Sequence, residues 1–431
     1  MKKIIAMLLA CLMVAGLFAG CGSSASTETT AAPATEAATE AATEAATEAV
    51  EVEDITLTVW GPQEDQVDEN SFLQVATAKF AEAHPEWNIT WNFGVCSEGD
   101  AGTNVTKDPS AAADVYAFAN DQLGTLIQAN AIAQLGGAAL EQVMADNSET
   151  MVASVTSGDG VYGVPFTGNT WFMYYDKSVF TEEDIKSLDA MMEKATVAFP
   201  VTNTWYLPAF YFAVGGTMFG DGTDGSQGIT FGGEAGASAT AYVAAAIASG
   251  KLIDDASGAG LDGLRNGTVG AIFSGTWDAG NVAEALGENY GAAQLPTITI
   301  NGEQKQLCSF SGSKAYGVNP NSANMKAAVA LAAWLGSAEM QDLHFDIREG
   351  AVIPCATSLL TDAKYSENPA AVAQNDTIAN TSKLQPSIPE MGAYWSNAES
   401  MGKALANGEI NADNALENTE KWNEAINNTG L

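Results

Sequence analysis

The stretch VYGVPFTGNTWFMYYDKSVF, residues 161–180, constrains the fold of this chain more than any other. Two runs rich in β-branched and aromatic residues, 161–166 and 170–175, read as buried strands. The polar step Thr167-Gly168-Asn169 joins them, and Pro165, which lacks a backbone donor, suits a strand end. An ordinary strand–turn–strand inside one core fits this pattern. So does a passage between two lobes with a cleft beside it.

The 431 residues are enough for two or three domains, and 46% of them are apolar, enough to fill sizeable cores. Acids outnumber bases 53 to 17, a net charge of −36. That charge repels nucleic acid and anionic membrane surfaces and favours neutral or cationic ligands. Two histidines and no cysteine–histidine cluster give no basis for a transition-metal site, and no cofactor is expected. Cys11 and Cys21 lie in or at the end of the N-terminal segment, leaving Cys96, Cys308 and Cys355. One disulfide plus a free thiol, or three buried thiols, fit equally well.

Residues 1–20 carry Lys2 and Lys3, then an apolar run over 4–18 that is short for a membrane span. The segment closes on Leu17-Phe18-Ala19-Gly20-Cys21, small residues before a cysteine, and resembles the lipobox of bacterial lipoproteins. That resemblance implies lipidation at Cys21, with a plain secretory signal as the alternative. Residues 21–54 include a TEAA repeat and nothing able to form a core, so they read as a solvated tether. As a coil such a tether spans roughly 30 Å, and about 100 Å when fully extended.

The folded body is expected from Ile55. ITLTVW alternates as a strand, Gly61-Pro62 breaks it, and Glu64 and Asp65 follow. Residues 72–84 have helical apolar spacing, 89–93 and 114–118 read as strands, and Asp121 sits just after the latter. Strand–helix alternation argues for an α/β lobe with a mostly parallel sheet, whose ligands bind beyond the strand ends. The match of residues 220–225 to GxGxxG fails as a dinucleotide site because no helix opens there. It reads as a glycine-rich loop, with a calcium loop as the alternative. Residues 310–318 read as a second strand crossing.

Several segments occur together in one order: TVWGPQEDQ, DVYAFANDQLGTLIQANAIAQL, DGVYGVPFTGNTWFMYYDK, NGTVGAIFSGTWDAGN, YGAAQLPTI and SIPEMGAYW. In this the chain resembles the extracellular solute-binding proteins of ABC sugar importers, and within them the maltose/maltodextrin-binding group. The resemblance covers residues 55–431 and implies an α/β, two-lobed periplasmic-binding-protein-like fold with three inter-lobe crossings and a cleft. Lobe one is expected over 55–166 and 316–375, and lobe two over 169–310 and 380–431. By the same resemblance Glu64, Asp65, Phe118, Asp121, Asn169, Trp205 or Tyr206, Trp277 and Trp395 are the expected ligand-binding residues. Two positions depart from the family pattern: Gln122 stands where an arginine is usual, and the first loop lacks a lysine beside its acid.

Indole rings bury the C–H faces of pyranoses, while carboxylates accept the hydroxyls at the ring edge. The implied protein is a monomeric, non-enzymatic receptor on the outer face of the cytoplasmic membrane. It would touch lipid only through its anchor and pass a neutral oligosaccharide, maltodextrin foremost, to ABC permease subunits. A glycoside hydrolase using Glu64 and Asp65 is the rival from another class. A receptor for a non-sugar solute such as a polyamine, drawn by the acidic surface, is the third reading.

Overall fold

A computed structural model describes residues 52–255 and 257–428. The expected signal segment, Cys21 and the tether up to residue 51 lie outside the described residues. The strands that place the site are, in chain order, β1 (Glu53–Gly61), β2 (Trp87–Val95), β3 (Val115–Ala119), β4 (Gly163–Thr170), β5 (Phe172–Asp176), β6 (Val197–Phe199), β7 (Leu252–Asp254), β8 (Ala271–Ser274), β9 (Tyr290–Ala293), β10 (Ser309–Val318) and β11 (Ser382–Leu384). The helices used below are α1 (Phe72–Ala83), α2 (Leu123–Gln128), α3 (Ala338–Ile347), α4 (Pro369–Asn380) and α5 (Met391–Ala406).

Two sheets form. The first has the order β11-β10-β3-β1-β2, with β4 also on β10; the second is β9-β5-β8-β6-β7. Both are mixed rather than mostly parallel: β10 runs antiparallel to β3 and β4, and β5 runs antiparallel to β8 and β9. Each sheet has its own core. Leu57, Val59, Phe72, Phe80, Val115 and Phe118 belong to the first, while Trp171, Met173, Phe199, Phe210 and Phe273 belong to the second. Alternation along β5 sends Met173 and Tyr175 to one face, and Phe172 and Tyr174 to a third cluster on the other.

Local chemistry explains the element ends. On α1 the buried residues Phe72, Ala76 and Phe80 recur at helical spacing. His84 then leaves the helical region (φ −124, ψ 64), as expected of a residue before proline. Asn368 caps α4 by accepting from the N–H groups of Ala370 and Ala371, with Pro369 at the first helical position.

Among the described residues the chain passes between the two bodies three times. β4 belongs to the first sheet, and Trp171, directly after it, to the second core. Leu307 and Phe310 lie in the second core, and Ala315, further along β10, in the first. The third passage follows α3: Val352 packs on the first core and Ile353 in the cluster behind the second sheet. Thr167-Gly168-Asn169 is no turn. It is the continuous end of β4, paired with Gly312, Ser313 and Lys314. The expected assignment of 316–375 to lobe one also needs correction. Tyr365, Ala370, Ala371 and Ala373 pack with Phe172, Tyr174 and Ile272, so the segment changes lobe near Ile353.

Cys96, Cys308 and Cys355 are all free thiols, the first and last buried. In the glycine-rich loop Asp221 bonds Thr223 and Asp224 bonds Ser226, so both carboxylates hold local turns. Among the described residues no cluster of three potential metal ligands exists, and no helix is long and apolar enough to cross a membrane.

Candidate functional site

A cleft lies along the crossings. One part, of ≈ 380 Å³, is lined by Trp205, Trp277, Trp395, Asp121 and Gln385. A second, of ≈ 330 Å³, is lined by Glu64, Thr167, Thr276 and Arg348. Asn169, Trp277, Glu98 and Lys314 border both, so the two parts are continuous.

The side chains are carried there by turns after strands, by a long helix and by the crossing strands themselves. Trp277 sits in the single turn of 3-10 helix, Thr276–Asp278, that follows β8. Its ring folds over Gly275, where a Cβ would lie 2.1 Å from the indole. Trp277 is 45% exposed and belongs to no core cluster, unusual for a tryptophan and consistent with a surface meant to be covered. Trp205 lies 6.1 Å from Trp277 between ring centroids, at 39°, and its Nε1–H donates to Gln385 Oε1 at 2.6 Å. Trp395, on α5, is braced edge-on by Phe310 and Tyr394. Asn169 reaches the cleft from β4, opposite Gly312.

Asp121 follows β3 in another short 3-10 turn. Its Oδ1 is buried without a hydrogen-bond partner. Burial pushes its pKa above the usual carboxylate value, and the Gln122 and Gln385 amides offset this only in part. A ligand hydroxyl donating to this carboxylate favours its charged form. Protons therefore compete with ligand: affinity should weaken as pH falls from neutrality toward the ordinary carboxylate range at about 4, and titration calorimetry across that fall checks this. An affinity that rises as pH falls would contradict it.

Three expected site residues lie elsewhere. Asp65 is 1% exposed, its Oδ1 accepting from Arg348 at 2.6 Å and lying 3.0 Å from His344 Nε2. Burial alone would raise its pKa, but His344 and Arg348 outweigh that and hold it below the usual value. Phe118 is wholly buried in the first core, because every residue of β3 is covered on both faces. Tyr206 stacks on Trp171 at 4.7 Å, so Trp205, not Tyr206, faces the cleft. Glu64, Asp121, Asn169, Trp205, Trp277 and Trp395 do line it.

Sequence reasoning missed Glu98, Lys314, Gln385 and Arg348. Lys314 comes from β10 and pairs with Glu98 at 3.2 Å, which puts a cation where the two parts of the cleft meet. A lone lysine inside the apolar strand 309–318 was the available signal. A separate hollow of ≈ 240 Å³ beside the glycine-rich loop shares no lining residue with the cleft.

The arrangement offers flat apolar platforms, one unsatisfied carboxylate and mixed donors and acceptors, which suits a polyhydroxylated ring. The model of a family described as bacterial extracellular solute-binding protein matches residues 76–374. The galactooligosaccharide-binding protein of Bacillus subtilis (strain 168) is 27% identical over 338 residues, 74% of this chain and 76% of that protein. A maltodextrin-binding protein of the same organism is 27% identical over 321 residues, covering 69% and 73%. A solved structure of a protein with acarbose is 47% identical with a TM-score of 0.82, covering 87% of this chain and 99% of that one. The maltodextrin binding protein of L. casei BL23, solved without ligand, is 26% identical with a TM-score of 0.78 and the same coverage.

Proposed function

We propose that this chain, which belongs to the bacterial extracellular solute-binding proteins, is a lipid-anchored receptor for maltodextrin-type oligosaccharides. The protein holds its ligand in the cleft, closes its lobes by a hinge motion and hands the sugar to ABC permease subunits. The observation that carries this reading is the convergence of Trp205, Trp277 and Trp395 around Asp121, whose buried Oδ1 has no partner. Names of relatives support the sugar class: one binds galactooligosaccharides, two bind maltodextrin and one is solved with acarbose. Each hydrogen bond to a charged acceptor contributes about 1.5–3 kcal/mol. A few such bonds plus indole stacking reach the ~8 kcal/mol of micromolar binding.

No bond is made or broken in this reading. The Glu64–Asp65 pair gives the hydrolase alternative little support, since Asp65 is committed to His344 and Arg348 and lies away from the cleft. Incubation of the purified protein with maltooligosaccharides tests both points at once. Heat of binding with no shortened products is expected; catalytic cleavage, or no binding to any of the series, would overturn the reading.

Anchoring is a separate proposal resting on Cys21 and the small residues before it. Cys21→Ser should move the protein from the membrane fraction to the medium. Continued fractionation with lipid would refute the anchor.

A further inference from the structure

The two parts of the cleft differ in chemistry. Tryptophans dominate the first, whereas beyond Trp277 and the Glu98–Lys314 pair that borders both, the second presents Glu64, Thr167, Thr276 and Arg348. A sugar held on the indoles is gripped by its faces. A unit extending past Trp277 meets polar groups instead and must be gripped by its hydroxyls.

Arg348 is built to do this. Its side chain is 23% exposed and lines the polar part of the cleft, while the Asp65 carboxylate that it touches is 1% exposed. One nitrogen donates to Asp65 Oδ1 at 2.6 Å; among the described residues no other hydrogen bond of the guanidinium is present. His344, one helical turn earlier on α3, reaches the same oxygen at 3.0 Å. The His344 ring is fixed between Phe72, stacked at 3.8 Å and 6°, and Phe166 at 5.6 Å. A buried carboxylate whose Oδ1 is shared with a clamped imidazole thus holds a planar fork of donors in place before any ligand arrives. Such preorganisation removes the ordering cost that a flexible cation would incur on binding.

We propose that Arg348 is a specificity-determining residue that donates to the hydroxyls of the glycosyl unit extending past Trp277, and that Asp65 is its positioning residue. The inference rests on the oligosaccharide reading above and adds a chain-length preference to it. The longer the glucan, the more Arg348 matters; a disaccharide seated on the indoles does not reach it.

Calorimetry of the full-length protein with maltose and with maltotetraose tests this, with Arg348→Lys as the main variant. Lysine keeps the charge beside Asp65 but loses the fork. Maltotetraose affinity should fall about tenfold, equivalent to about 1.4 kcal/mol, while maltose affinity stays within about twofold. Arg348→Gln should show the same selective loss. Asp65→Asn should show it too and add nothing in the Arg348→Gln background. Melting curves identify any variant that fails to fold, and Arg348→Lys decides the matter if Asp65→Asn does. Unchanged maltotetraose affinity in Arg348→Lys, or equal losses for both sugars, would overturn the proposal while leaving the receptor reading intact. A wild-type protein that binds neither sugar would overturn both.

Discussion

Replacing Trp277 by alanine should weaken oligosaccharide binding at least tenfold while the melting temperature changes little. The two halves of this expectation have separate causes. Trp277 is 45% exposed and absent from all three apolar clusters, so its removal opens no core cavity. It borders both parts of the cleft, however, so a sugar chain crossing from one to the other must pass its ring. Losing that contact removes an aromatic platform worth more than the about 1.4 kcal/mol that a factor of ten requires. Calorimetry with maltooligosaccharides and a thermal melt read the two effects independently. Unchanged affinity would remove Trp277 from the site, and a large loss of stability would mean that it is core.

The second large effect is expected at a position with no side chain. Gly124, in α2, meets the loop between β11 and α5 so closely that a Cβ there would lie 1.9 Å from the carbonyl oxygen of Ser387. Backbone cannot yield as a flexible side chain can, so Gly124→Ala must push α2 and that loop apart. Gln385, which bonds Trp205, lies two residues before Ser387, and Trp395 lies on the helix that the loop leads into. On the other side Asp121 and Gln122 immediately precede α2. The substitution should therefore spread the aromatic part of the cleft and cost about tenfold in affinity or more, with both cores left packed. Wild-type affinity in Gly124→Ala would show that this contact does not set the cleft's width.

These effects bear on what the sequence could disclose. The apolar runs at 161–175 and 310–318 announce buried strands locally, and the structure finds β4, β5 and β10 there. Trp277 and Trp395 were legible only through resemblance, since nothing in their own neighbourhood distinguishes a platform from core. Asp65 shows the limit most clearly. An acid in a loop after a strand reads as exposed, but its partners His344 and Arg348 lie 279 and 283 residues downstream, where no local pattern points back. Phe118 failed for another reason. On a strand covered on both faces, alternation carries no information about which side meets the ligand. The lobe change near Ile353 was hidden because the residues around it lie in turns and short helices, without the apolar strand run that marks the other two crossings.

The account as a whole rests on one cleft holding a carbohydrate between indoles and acids. Diffraction from crystals grown with maltotetraose tests that most directly. The sugar should be found between the two bodies, with a pyranose face on Trp277, a hydroxyl on Asp121 and the chain running toward Arg348. Maltotetraose bound elsewhere, such as in the hollow beside Asp221 and Lys383, with the tryptophan cleft unoccupied, would contradict it.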